Sequence, residues 1–171
     1  MKKVNKFSLT YIYLQLVKQS GDARYIARGD AIGLFIGMVI PFGVQMPIAV
    51  LLAFLFKAAK IPAVAFTWVT NHFTIFLIYP VQCWIGSYLI GNPLKFAKIE
   101  QMLNVFFQEK SWSAFMTLGG QVVFAFFAGG LFGGILLAVP GYFISLYLVK
   151  QYRLLKELKL KRRQRKLKKR L

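Results

Sequence analysis

The segment Ala31–Phe56 reads AIGLFIGMVIPFGVQMPIAVLLAFLF, which is 26 residues without a charged side chain. About 20 apolar residues in a helix are enough to cross the hydrocarbon core of a bilayer. Pro41 and Gly43 interrupt the segment near its middle, and proline removes a backbone donor and clashes with the preceding helical turn. The pieces on either side, Ala31–Ile40 and Val44–Phe56, are too short to cross singly. They predict either a re-entrant hairpin of two half-helices or one kinked span.

Two more charge-free segments follow, Ile61–Leu94 with 34 residues and Ser111–Val149 with 39. A straight helix of 34 residues would be about 51 Å long, whereas the hydrocarbon core is about 30 Å thick. The second segment is therefore expected to be broken, tilted or folded back, with weak points at 70–72 and 79–80. In the third segment, Pro140 is expected to kink a crossing that begins near Gln121.

Charged residues are costly inside a bilayer, and this chain keeps all of its own out of the three segments. Its 171 residues are 57% hydrophobic, with a mean hydropathy of +0.54. The sequence therefore predicts an all-α integral membrane protein with two to four transmembrane helices and at least one interrupted or re-entrant hairpin. The expected domains are a basic amphipathic segment at 1–30, a membrane domain at 31–149 and a basic tail at 150–171.

The positive charge is concentrated at the two ends of the sequence. Of 23 Lys and Arg residues, 6 precede Ala31 and 12 lie from Lys150 onward. Because such residues favour the cytoplasmic side, both termini are predicted to be cytoplasmic, with an even number of crossings. In the preferred topology the first segment is re-entrant, the second crosses outward and the third crosses back. Four spans, with the second segment as a tight hairpin, is the alternative.

Segments outside the membrane domain predict contact with lipid. Apolar residues at helical spacing over 7–18 predict a short amphipathic helix on the membrane surface. The tail from Lys150 holds one aromatic residue, Tyr152, and follows directly on an apolar segment. It is therefore expected to bind anionic membrane lipids, and no specific nucleic-acid partner is expected.

A group of uncharged polar residues in the second segment is the predicted substrate-binding site. Thr67, Thr70, Asn71 and Thr74 have helical spacings that would place them within about 100° of one another on one helix. They either line a cavity for a headgroup or water, or join helices and satisfy a broken backbone. Gln45 follows the first break, and it would either face this group or bond to carbonyls that the break frees.

Arginines just outside the first segment are a second candidate. Arg24 and Arg28, with Asp30, would either hold a phosphate at the cytoplasmic mouth or serve only as topology signals. His72 is the single histidine, and all five carboxylates lie outside the charge-free segments. No catalytic group, metal site or cofactor is expected, so the chain is predicted not to be an enzyme.

Glycine pairs four residues apart allow helices to approach closely. They occur at Gly33 and Gly37, at Gly129 and Gly133, and at Gly130 and Gly134. Packing among the helices of this chain is one interpretation, and a homo-oligomer or an envelope protein partner is the other.

Motifs within residues 28–91 follow the order and approximate spacing of one bacterial membrane family. They are Ala31-Ile-Gly33-x-Phe35-Ile-Gly37, Pro41-x-Gly43-x-Gln45 and Thr67-Trp-x-x-Asn71-x-x-Thr74, followed by Tyr79 and Gly86. On these residues the chain resembles the family known as domain of unknown function 2062. That family has no assigned activity, so the resemblance implies the boundaries of the fold and names no reaction. Related domains joined to envelope glycosyltransferases imply a link to lipids of the cell envelope.

Two functions are therefore expected of a protein in the bacterial inner membrane. The first is a carrier or scramblase for an anionic envelope lipid, with the broken helices lining its path. The second is a non-catalytic scaffold or accessory subunit of an envelope protein complex, which would bind its partner through the glycine faces.

Overall fold

The computed structural model describes residues 21–101 and 119–168, and within these ranges it contains helices and no β-strand. This confirms the all-helical class. The predicted amphipathic helix over 7–18, and the start of the third segment up to 118, lie outside the described residues. The main helices are α1 (Ala23–Val39), α2 (Gln45–Leu55), α3 (Lys60–Phe66) with a 3₁₀ turn at Thr67–Val69, α4 (Ile75–Leu89) and α5 (Gly119–Lys168).

The break between α1 and α2 falls where Pro41 and Gly43 predict it. Ile40, the residue before the proline, is extended with ψ of 133°, as the proline ring requires of its neighbour. Gly43 has a φ of +110°, a backbone conformation that side chains with a Cβ rarely adopt. The chain therefore leaves α1, turns within five residues and enters α2.

The break between the 3₁₀ turn and α4 confirms the predicted weak point at 70–72. Asn71 accepts hydrogen bonds at its side-chain oxygen from the amides of Phe73 (2.9 Å) and Thr74 (3.2 Å). The Thr74 hydroxyl accepts one in return from the Asn71 amide at 2.8 Å. This reciprocal capping leads the chain into α4.

The weak point predicted at 79–80 is not a break, because Pro80 lies inside α4. Pro140, which was predicted to kink the third segment, lies inside α5. Residues on the turns around Pro80, namely Tyr79 and Cys83, are buried against α5. This packing outweighs the loss of one backbone hydrogen bond, because tertiary contacts routinely override local helix preference.

Helices α1 and α2 form a hairpin whose open ends lie side by side. Arg28, early in α1, donates from its guanidinium to the carbonyl of Phe56, just after α2. The amide of Ala59 donates to the carbonyl of Tyr25 at 3.0 Å. Lys57 has a φ of +48° in the tight turn between them. The chain thus returns at the end of α2 to the level at which α1 begins.

Helix α3 then runs parallel to α1, with the two backbones in contact. Gly29, Gly33 and Gly37 on one face of α1 lie against Ala59, Ala63 and Thr67, in that order. A Cβ atom at any of these glycines would overlap the facing segment. The four-residue spacing predicted from the sequence is therefore used, at least here, to pack helices of the same chain.

Helix α5 runs antiparallel to both α1 and α4 and joins them end to end. Its residues Gly130, Ser145 and Arg153 meet Met38, Asp30 and Gly21 of the α1 region. Its earlier residues Ala125 and Phe126 meet Gly86 and Gln82 of α4. Along α5, the contacts with α4 begin where the contacts with α1 stop. Helix α4 therefore starts near the level at which α1 ends, and it runs in the same direction as α1 and α3.

One helix in the described part of the chain is long and apolar enough to cross a membrane. It is the segment Gly119–Arg162 of α5, whose most apolar window has a mean hydropathy of 2.4 and is one-third buried. Large apolar side chains are exposed along it and along α2, among them Phe54, Leu55, Phe124, Leu136 and Phe143. Soluble monomers rarely expose contiguous apolar surface on this scale, so these faces support membrane association.

Candidate functional site

The two chain breaks meet inside the bundle, and we call this region the junction (residues 40–45 and 67–74). Gln45 connects its two halves and is 1% exposed. Its side-chain nitrogen donates to the carbonyls of Thr67 and Thr70, both at 3.1 Å. Its oxygen accepts from the Thr70 hydroxyl at 3.0 Å. One glutamine thus bonds to two carbonyls at the end of the 3₁₀ turn, where regular helical hydrogen bonding stops.

Thr70 ties the junction to α1 as well. Its buried hydroxyl lies 2.6 Å from the carbonyl of Gly37, within hydrogen-bonding distance. Thr67 is also fully buried, and its hydroxyl donates to the carbonyl of Val64. Both threonines therefore contribute to the packing of α1, α2 and α3.

The remaining polar residues of the predicted site lie on the other side of the junction. The side-chain nitrogen of Asn71 donates to the carbonyl of Trp68. The hydroxyl oxygen of Thr74 lies 2.9 Å from the carbonyl oxygen of Val69. The structure has no continuous helix from Thr67 to Thr74, so the four residues do not share one helical stripe. They form two groups, Thr67 and Thr70 facing Gln45, and Asn71 and Thr74 bonded to their own turn.

The buried centre of the junction is polar, whereas the side chains exposed on its surface include three aromatic residues. The hydroxyl of Tyr79 on α4 accepts a hydrogen bond from the amide of Phe42 at 2.7 Å. The side chains of Phe42, Trp68 and Phe73 are exposed, Phe73 by 87%. Helix α2 begins here at Gln45 without a side-chain cap on its first turn. Its amide dipoles therefore give this end of the hairpin a partial positive charge.

The arginines of the predicted site lie at the opposite end of the hairpin. Arg24 and Arg28 are exposed, and the Nε of Arg28 donates to the carbonyl of Arg24 at 3.4 Å. Ile40 lies twelve positions after Arg28, which is about 18 Å at 1.5 Å per residue. The exposed Lys57, in the turn after α2, and Lys60, the first residue of α3, follow the segment that contacts Arg28. The arginines and the junction are thus separate places on one hairpin.

Asp30 does not join the arginines, as the sequence suggested it would. It is 4% exposed and faces α5, where its Oδ2 accepts a hydrogen bond from the hydroxyl of Ser145. Its Oδ1 is buried without a hydrogen-bond partner among the described residues. Asp30 directly precedes the charge-free segment that begins at Ala31. Burial raises the pKa of its carboxyl to about 6, and the Ser145 hydrogen bond opposes this shift.

Sequence reasoning named Asp30 only together with the exposed arginines and missed its burial against α5. No signal in the local sequence points to Ser145 as its partner. A second omission is Gln82, which is 3% exposed on α4 and donates to the carbonyl of Phe126. Its side-chain oxygen is buried without a partner among the described residues.

The glycine pairs of the third segment are also occupied by this chain. Gly129 lies against the Gln82 carbonyl, Gly130 against Met38 and Gly134 against Phe35. These contacts confirm that the pairs pack helices of one chain. In the described ranges, no cluster of three or more potential metal ligands occurs.

Comparison with known proteins identifies a family and no closer relative. No curated protein and no solved structure matches the chain. A sequence model of one bacterial family matches residues 6–157, which include α1 to α4 and most of α5. This chain therefore belongs to the family described as "uncharacterized protein conserved in bacteria" (DUF2062).

Proposed function

We propose that this chain is a multi-pass protein of the bacterial inner membrane that carries or scrambles an anionic envelope lipid. The observation that supports this proposal is the junction, where two interrupted helical segments meet within an apolar bundle. Transporters built from discontinuous helices place their substrate sites at such breaks. The proposal assigns no reaction, cofactor or metal to the chain.

In this proposal the α1–α2 hairpin is re-entrant and enters the bilayer from the cytoplasmic side. Helix α3, the junction and α4 form an interrupted crossing outward, and α5 forms the crossing back. Two observations support this arrangement: the start of α1 lies beside the end of α2, and α5 runs antiparallel to α1 and α4. Asp30 lies at the cytoplasmic boundary, outside the embedded segments, and both termini are cytoplasmic.

The topology is tested by a cysteine at Lys57, in the turn that follows the hairpin. Lys57 is exposed, whereas its neighbour Ala58 is 1% exposed and would shield a thiol. In a Cys83→Ser background, Lys57→Cys is expected to resist an impermeant thiol reagent in intact cells and to react after permeabilisation. A matched cysteine at Asn92, which is exposed beyond α4, is expected to react in intact cells. Reaction at Lys57→Cys in intact cells would contradict the re-entrant hairpin.

The lipid path of this proposal has two parts. Arg24 and Arg28 receive the phosphate at the cytoplasmic end, and the basic tail concentrates anionic lipid near them. The junction, with the partly positive start of α2, meets the headgroup deeper in the bilayer. The exposed aromatic side chains around the junction contact the acyl or prenyl chain.

The transport test uses liposomes that contain the purified protein and a labelled lipid. The native chain is expected to speed the crossing of an anionic phospholipid or a polyprenyl phosphate. The double substitution Arg24→Gln and Arg28→Gln removes two exposed charges and is expected to slow it by about tenfold or more. A hydrogen bond to a charged group contributes about 1.5–3 kcal/mol, and each 1.4 kcal/mol is a factor of ten.

The matched control removes two exposed charges from the other end of the molecule. Lys95→Gln with Lys98→Gln changes the net charge equally and is expected to retain the native rate. An unchanged rate in the arginine variant would show that these arginines do not bind the lipid. If the native chain moves neither lipid, the carrier proposal fails and the scaffold function becomes the one to test.

A further inference from the structure

The carboxyl group of Asp30 occupies an unusual place in the interface between α1 and α5. One oxygen is bonded to Ser145, and the other is buried without a partner among the described residues. A neighbouring face of α1 packs closely on α3, because Gly29 and Gly33 lie in backbone contact with Ala59 and Ala63. We therefore expect a movement that exposes Asp30 to water to separate α1 from α5 and to leave α1 on α3.

Charged and titratable groups lie on each element that packs near this site, whereas the hydrogen bond of the Asp30 carboxyl in the described residues comes from Ser145. From α1, Arg24 is exposed and Arg28 is directed to the carbonyls of Arg24 and Phe56. From the turn before α3, Lys57 is exposed, and the amine of Lys60 lies over the ring of Phe54 at 5.0 Å. From α5, Arg153 donates to the Gly21 carbonyl, Lys150 is exposed and Tyr142 is half-buried.

An ionised carboxylate in this position is unfavourable unless water or a cation reaches it or it takes up a proton. A buried ion without a counter-ion is costly, and such a group takes up a proton unless a cation or water reaches it. A Ser145 hydroxyl on the facing helix offers one hydrogen bond and no compensating charge.

We propose that Asp30 is a proton-binding site that controls the contact between α1 and α5. When a proton from cytoplasmic water binds the carboxylate, the neutral group stays in the closed interface with Ser145. When the proton returns to water, the anion draws water between the helices and the α1–α3 unit separates from α5 at this level. The coupling of proton binding to lipid movement rests on the proposed function, whereas the proton site itself does not.

The first experiment detects the proton directly and needs no transport. Infrared spectra of the purified protein in detergent are recorded between about pH 4 and about pH 8. We expect the carbonyl band of a protonated carboxyl that persists to about pH 6 in the native chain and is absent from Asp30→Asn. Asp22→Asn, which removes an exposed carboxylate, is the matched control and is expected to retain this band.

A substitution of the facing residue tests whether the proton is held at the α1–α5 interface. Ser145→Ala leaves the carboxyl in place but removes its hydrogen bond, so the band is expected to shift in frequency. A band that remains in Asp30→Asn would overturn the assignment. So would a band that disappears together with those of exposed carboxyls near pH 4. Displacement of the proton by sodium but not by choline would assign the site to a metal cation instead.

The second experiment tests the coupling, in the liposomes that already contain the native chain. Lipid movement is expected to change with pH around the midpoint of the infrared titration, and to lose this dependence in Asp30→Asn. Transport with the same pH dependence in both proteins would overturn the coupling while leaving the proposed function intact. If the native chain moves no lipid, the proposed function and the coupling both fail, and the infrared titration alone decides whether Asp30 holds a proton.

Discussion

Gly86→Ala is expected to prevent α4 from packing against α5 and to leave little folded protein. A Cβ atom at Gly86 would overlap the carbonyl oxygen of Ala125 and lie 2.7 Å from the Gly129 amide nitrogen. Both contacts are with backbone, so no side-chain rotation relieves them and the helices must separate. The expected loss in the free energy of unfolding is about 3 kcal/mol or more, at the upper end for overpacked interiors. Thermal unfolding in detergent measures the loss of stability, and gel filtration measures how much of the protein is monodisperse.

Gly120→Ala is the matched control for this prediction. Gly120 lies on the same helix as Ala125, and its Cβ would meet only the ring of Phe124 at ordinary contact distances of 3.8 and 4.0 Å. Alanine is favoured over glycine within a helix by about 1 kcal/mol, so this variant is expected to be as stable as the native chain or slightly more. Equal stability of Gly86→Ala and Gly120→Ala would contradict the close contact between α4 and α5.

Asp30→Asn is expected to make the protein more stable than the native chain at neutral and alkaline pH. The pKa of Asp30 is raised from 3.8 to about 6 in the folded state. Folding therefore favours the protonated form, which makes this contribution to stability greatest at low pH. As the pH rises through the range from about 4 to about 6, the native chain loses up to about 3 kcal/mol, at 1.36 kcal/mol per pKa unit. Asparagine cannot ionise and loses nothing over this range.

The measurement is the difference in unfolding temperature between the native chain and Asp30→Asn across this pH range. The two proteins differ at this one side chain, so the difference isolates Asp30. It is expected to be small near pH 4 and to grow in favour of the variant up to about pH 7. A difference that does not change with pH would show that Asp30 is ionised and solvated in the folded protein. Asp22→Asn serves as the control for the removal of one negative charge.

Local rules were sufficient to find the ends of the helical pieces at the two main breaks. Pro41 and Gly43 act on the backbone within a few residues of themselves, and Asn71 and Thr74 cap the turn in which they lie. The same rules overestimated Pro80, because the buried contacts of Tyr79 and Cys83 with α5 come from residues more than 40 positions away. The backbone hydrogen bond that a proline removes is a local loss, whereas the packing energy that offsets it comes from distant parts of the chain.

The arrangement of the polar groups could not be read from their spacing. The stripe of Thr67, Thr70, Asn71 and Thr74 requires helical geometry throughout, and the chain gives it up at Thr70, the first residue after the 3₁₀ turn. The partners of Thr67 and Thr70 come from Gln45 and Gly37, on two other segments. Asp30 illustrates the same limit, because its burial depends on Ser145, which lies 115 residues further along the chain.

The end-to-end placement of α1 and α4 along α5 has a consequence for how the protein is made. During synthesis α1 to α4 leave the ribosome before α5, the helix that joins α1 and α4. Until α5 follows, the faces of Gly86 and Asp30 have no partner, and a carboxylate and exposed backbone are presented to lipid or water. Contacts between distant parts of a chain form late, and such intermediates are prone to aggregation. We therefore expect assembly in the cell to require that α1 to α4 be kept apart from other chains until α5 follows.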